Sequence, residues 1–119
     1  MAKLRIVFVG TSEYGIPSLK LLAEHPDFRP VLVISQPDRP FGRKLQLKAS
    51  PIAELAASLG LPVRKPERVS DPTFTQELAT FEPDLIITAS YGEIIGKTAR
   101  NMPRLCAINL HPSLLPLYR

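Results

Sequence analysis

Two kinds of hydrophobic pattern take turns along this chain. Short, mostly apolar runs occur at 4–10 (LRIVFVG), 30–35 (PVLVIS), 84–90 (DLIITAS) and 106–111 (CAINLH), with a briefer one at 62–66 (PVRKP). Runs of this length, rich in β-branched residues and without polar alternation, predict strands buried on both faces of a sheet. Between them the apolar spacing becomes helical. Ile16, Leu19, Leu22 and Ala23 share one stripe, with Pro17 in the first turn. The segments 50–60 (SPIAELAASLG) and 71–81 (DPTFTQELATF) carry start signals, with Ser50 and Asp71 as N-caps and Pro51 and Pro72 at the first helical positions. Gly60 closes the first of these two helices, and 94–100 is only weakly periodic.

Strands alternating with helices predict a doubly wound α/β fold, a mainly parallel sheet with helices on both faces. Ligands of such sheets bind outside the carboxyl ends of the strands. The loops after Val9, Ser35, Ser90 and Asn109 are therefore where chemistry is expected.

Length and composition narrow the picture. A chain of 119 residues, 45% hydrophobic, suffices for a single core and is too short for two domains. Its net charge of +4 permits an anionic partner without requiring one. The single cysteine, Cys106, excludes an internal disulfide framework and a cysteine-based zinc site; it reads as a buried strand residue in a protein of a reducing compartment. Strand-like sequence begins almost at Met1, leaving no room for a signal or transit segment, and no apolar run reaches membrane-spanning length. The expectation is a cytoplasmic protein with no membrane partner and no metal.

The loop motifs differ in what they allow. GTSEYG (10–15) lacks the central glycine of a dinucleotide fingerprint, and Ile16 and Pro17 stand where a phosphate-binding loop needs lysine and a hydroxyl, so nucleotide binding there is disfavoured. The connection 36–50 (QPDRPFGRKLQLKAS) is long and sets Arg39, Arg43, Lys44 and Lys48 against the single Asp38. Charge alone leaves a clamp for a phosphate backbone and a merely solvated basic loop equally open. Gly92 and Gly96 in SYGEIIG (90–96) allow close backbone approach, with Tyr91 either stacking or packing; a plain strand-to-helix turn explains them as well.

At the end of the last run, Asn109 and His111 point to one side of the strand and Ile108 and Leu110 to the other. A neutral amide can donate to a carbonyl oxygen that gains charge, and histidine moves protons near neutral pH, which together suit attack of an amine on an acyl group. A buried, mutually satisfied pair is the alternative, and spacing alone favours it.

With these residues in place, the chain resembles the folate-dependent formyltransferases over essentially its whole length. The resemblance runs through VFVGTSEYGIPSL (7–19), QPDRPFGR (36–43), SYGEII (90–95) and NLHPSLLPLYR (109–119). The QPDRP run points to the branch that acts on initiator methionyl-tRNA rather than to branches acting on glycinamide ribonucleotide or sugar nucleotides. That resemblance implies transfer of a formyl group from 10-formyltetrahydrofolate, as co-substrate, to the α-amino group of the esterified methionine, with Asn109 and His111 catalytic. Ser113, Leu114, Leu115 and Pro116, together with Tyr91, Gly92, Glu93 and Ile94, match the tetrahydrofolate site. Arg39, Arg43 and Lys44 match the segment that grips the acceptor stem, and Tyr14 matches an aromatic near the methionyl group.

The chain departs from the family pattern in GRKLQLKASP (42–51), which lacks a second glycine and lysine pair, and at Gly96, where proline is frequent. The resemblance also implies that 1–119 is the amino-terminal portion of a catalytic domain. Further strands, an aspartate partner for His111 and a carboxy-terminal β-barrel would lie beyond it, the fragment alone would be inactive, and the whole protein would be a monomer. Another folate-dependent formyltransferase, a formyltetrahydrofolate hydrolase and a non-catalytic folate- or RNA-binding module are the competing readings.

Overall fold

The computed structural model describes residues 3–43 and 46–110. Five parallel strands form one sheet: β1 (Leu4–Gly10), β2 (Phe28–Ile34), β5 (Val63–Arg64), β6 (Leu85–Ala89) and β7 (Cys106–Leu110). Their spatial order is β5-β2-β1-β6-β7. A second sheet pairs β3 (Arg39–Phe41) with β4 (Gln46–Lys48) in antiparallel register. The helices are α1 (Ile16–Glu24), α2 (Pro51–Ser58), α3 (Pro72–Thr80) and the short α4 (Lys97–Arg100).

The two sides of β1 feed two separate cores. Ile6 and Phe8 join Leu19 and Leu22 of α1 and Ile52 and Ala56 of α2. Val7 and Val9 join Phe74 and Leu78 of α3, Ala99 of α4 and Val69. Helices on both faces and a parallel sheet are as the apolar runs predict, since period-2 side chains on a two-faced strand must be apolar at every position. The expected caps form: Ser50 Oγ accepts from the Ala53 amide at 3.0 Å and Asp71 Oδ1 from the Thr73 amide at 2.8 Å. Each satisfies an amide that its helix cannot pair, and the prolines that follow lack the N–H that would otherwise be orphaned.

Three expectations need correction. The connection 36–50 contains the β3–β4 hairpin, which three-residue strands and a central proline conceal; Pro40 sits opposite Leu47 in an isolated two-stranded ribbon, a position where proline's missing donor is tolerated. Strand β2 begins at Phe28, before Pro30, because Phe28 and Arg29 pair with Leu4 and Arg5. The register shifts just after Pro30, so that Ile6 faces Pro30 and Val7 faces Leu32. Finally, among the described residues β7 is not buried on both faces: it lies at the sheet edge with four of its five residues exposed, Cys106 among them. Apolar sequence makes a strand fit for burial, but neighbours supply the burial.

Among the described residues no helix is long and apolar enough to cross a membrane.

Candidate active site

The chain lays β1, β2 and β5 outward in one direction and then returns to add β6 and β7 on the other side of β1. The order therefore reverses between β1 and β6, and a crevice is expected at their carboxyl ends. Three loops meet there. The loop after β1 turns through a single 3-10 turn, Glu13–Gly15, capped by Ser12. Its amides at Thr11 and Ser12 donate to the Ser90 carbonyl at 3.2 and 3.4 Å. Ser90 holds that carbonyl in place with φ of +54°, a left-handed conformation that non-glycine residues rarely adopt. The Tyr91 carbonyl accepts from Thr11 Oγ1 at 3.2 Å and from Gln36 Nε2 at 2.8 Å, while the Gln36 amide donates to Thr11 Oγ1 at 3.4 Å. Glycine is required twice: a Cβ on Gly10 would come within 2.8 Å of the Ala89 carbonyl, and one on Gly92, at φ +93°, within 2.8 Å of Gln36 Nε2.

Beyond this clamp lie two adjoining cavities at the β6–β7 edge. One, of about 340 Å³, is lined by Thr88, Ser90, Tyr91, Gly92, Glu93, Ile94, Asn109 and Leu110. The other, of about 220 Å³, adds Ile95, Arg100, Ala107 and Ile108 to Thr88, Glu93, Ile94 and Asn109. Asn109 stands at both, paired in register with Thr88. A separate cavity of about 440 Å³ lies between the first loop, the hairpin base and the start of α2, bounded by Thr11, Glu13, Arg39, Lys48, Ser50 and Glu54 among others. A wider hollow of about 540 Å³, containing Lys3, Arg5 and Arg29, opens on the strands' amino-terminal side, away from the crevice.

The family model described as Formyl transferase matches residues 4–119. The chain belongs to the formyl transferase family. It is 45% identical over 119 residues to the methionyl-tRNA formyltransferase of Syntrophus aciditrophicus (strain SB), a match covering 100% of this chain and 38% of that protein. It is 41% identical over 116 residues to the methionyl-tRNA formyltransferase of Ruminiclostridium cellulolyticum (strain ATCC 35319 / DSM 5812 / JCM 6584 / H10), covering 98% of this chain and 37% of that protein. The chain thus spans well under half the length of these curated relatives. Two solved structures share the fold: glycinamide ribonucleotide transformylase 1 from Geobacillus kaustophilus, with a TM-score of 0.66 at 23% identity, covering 98% of this chain and 62% of that one; and phosphoribosylglycinamide formyltransferase from Coxiella burnetii, with a TM-score of 0.64 at 21% identity, covering 98% and 55%. At these identities the likeness concerns architecture alone.

Of the residues that the formyl transferase resemblance singles out, Asn109, Gly92, Glu93, Ile94 and Tyr91 converge on the same cavity. Tyr91 does so without offering a free aromatic face: its ring is 2% exposed and packs in the core with Val69 and Ile95. Burial first, and then the charge of Glu93, push its phenol up to about 12, with Arg39 opposing. Among the described residues its hydroxyl has no hydrogen-bond partner. Arg39 and Arg43 are exposed in the hairpin, and Tyr14 is 68% exposed on the turn after β1. These three do not share the Asn109 cavity. His111, Ser113, Leu114, Leu115, Pro116 and Lys44 lie outside the described residues.

Sequence reasoning passed over Thr11 and Gln36, the side chains that hold the three loops together. The available signal was position: each stands within two residues of a strand's carboxyl end, inside the runs 7–19 and 36–43.

Proposed function

We propose that these residues form the amino-terminal part of a catalytic domain that moves a formyl group from 10-formyltetrahydrofolate to the α-amino group of methionine on initiator tRNA. The observation that carries this reading is the place of Asn109, at the carboxyl end of β7 and on a cavity shared with Gly92, Glu93 and Ile94, in a chain whose whole length aligns with methionyl-tRNA formyltransferases. The cavities fit a flat, partly polar ring system. Ile94, Ile95, Ala107 and Ile108 supply apolar wall, and Thr88, Glu93 and Asn109 supply polar rim.

The donor supplies a one-carbon group at the level of an acyl carbon. When the amine's lone pair adds to that carbon, the carbonyl oxygen becomes negative, and the Asn109 amide is the donor suited to meet it. His111, two residues on, takes the proton from the attacking nitrogen and returns it to the nitrogen that leaves. One carbon–nitrogen bond forms as another breaks, and no net charge is left over. The hairpin, with Arg39 and Arg43 exposed, provides cations for the acceptor-stem phosphates, and Lys44 adds one in sequence.

The test is direct. The full-length polypeptide that contains this sequence, given 10-formyltetrahydrofolate and charged initiator tRNA, should produce formylmethionyl-tRNA. Absence of product, or equal turnover with glycinamide ribonucleotide as acceptor, would sink the reading.

A further inference from the structure

We propose that Gln36 is a positioning residue that sets the donor-side loop 90–94 relative to the base of the basic hairpin. The inference rests on the functional reading just given, which places the formyl donor against that loop and the tRNA against that hairpin. Gln36 lies two residues past the end of β2 and reaches in both directions. Its Nε2 donates to the Tyr91 carbonyl at 2.8 Å, and its Oε1 accepts from Arg39 Nη2 at 3.1 Å. Its own amide donates to Thr11 Oγ1 at 3.4 Å, which ties both ends to the loop after β1.

The chemistry of the two contacts fixes the residue type. A carbonyl needs a donor and a guanidinium needs an acceptor, so the terminal group must present one of each, as an amide does and a carboxylate does not. Glutamate would keep the arginine and set a lone pair against the Tyr91 carbonyl. Gly92 supports the same arrangement from the other side, because any Cβ there would fall 2.8 Å from Gln36 Nε2. Thr11 Oγ1 also bonds the Tyr91 carbonyl, so loss of Gln36 loosens the loop without freeing it.

The experiment uses the full-length polypeptide with Gln36→Glu, and with Gln36→Met to remove both contacts while keeping length. Two readouts are taken. The first is hydrogen exchange of the Thr11, Ser12 and Gln36 amides, which are bonded to the Ser90 carbonyl and Thr11 Oγ1. The second is KM measured separately for the formyl donor and for charged tRNA.

In Gln36→Glu, exchange should quicken about five- to tenfold, the effect of one lost hydrogen bond. KM for the donor should rise about tenfold while that for tRNA stays within threefold, and the thermal midpoint should fall by no more than about 4 °C. In Gln36→Met both KM values should rise. Unchanged exchange in both variants overturns the tether. Faster exchange with the two KM values moving together in Gln36→Glu, or not at all, overturns the positioning role. An inactive wild type overturns the functional reading instead, while the exchange data still decide whether Gln36 holds the loop.

Discussion

Strands β1 and β7 belong to the same parallel sheet, each one step from β6, and their sequences look alike in apolar content. Yet Ile6, Val7, Phe8 and Val9 are 0–1% exposed, whereas Ile108 and Leu110 are 40% and 39% exposed. The difference lies in position. β1 has a strand on either side and a core on both faces; among the described residues β7 has one neighbour, β6. The first strand holds the fold, and the second, among the described residues, has most of its side chains exposed. The polar residue placed on it, Asn109, is exposed and belongs to neither core.

The contrast can be broken most forcefully at Phe8. Phe8→Ala removes a ring that is 0% exposed and should cost about 3–5 kcal/mol in denaturant unfolding; a loss below about 1 kcal/mol would refute the central role of β1. Next in size is Asn109→Ala in the full-length polypeptide, where kcat should fall about 10²–10³-fold with stability within about 0.5 kcal/mol of wild type. A fall in stability with kcat intact would reverse the assignment and make Asn109 structural.

A third experiment probes the residue that links the two strands. Asp84 accepts from the Arg5 amide in β1 and from Arg104 Nε ahead of β7, each at 2.8 Å. The backbone bond first, then Arg104, holds its carboxyl below the ordinary value of 3.8. A group whose folded pKa is depressed contributes stability above its unfolded pKa and loses it as the pH falls through the folded value. Wild type should therefore weaken below about pH 4 more steeply than Asp84→Asn, as read from urea midpoints at stepped pH. Parallel curves would show that the carboxylate holds nothing. The smallest effects belong to β7 itself: Ile108→Ala should cost under about 1 kcal/mol in this 119-residue chain, and Cys106 should react with a thiol reagent without prior unfolding.

The same comparison shows what was legible beforehand. Buried strands announce themselves because both faces must be apolar, and helix starts because Ser50–Pro51 and Asp71–Pro72 each solve the orphan-amide problem in sequence. Exposure at an edge has no such mark. The order β5-β2-β1-β6-β7, and hence the edge, is set by contacts between residues distant along the chain. The hairpin escaped notice because its strands are too short for a period to show. Asn109 was legible as a polar residue at a strand's end, and the resemblance, more than the spacing, turned its reading towards catalysis; its expected companion His111 lies outside the described residues. Gln36 and Thr11 were not, since a polar residue after a strand is ordinary until the carbonyl it meets is known.

The pairing of β1 with β6 also orders events in time. Arg5 and Asp84, which bond to each other, are separated by 79 positions. At about 5–20 residues per second, a ribosome needs roughly 4–16 s to make that interval. Through those seconds the nascent first strand can pair with β2 alone, one flank bare and apolar. The centre of the sheet thus waits for β6, and the crevice between β1 and β6 cannot exist before it.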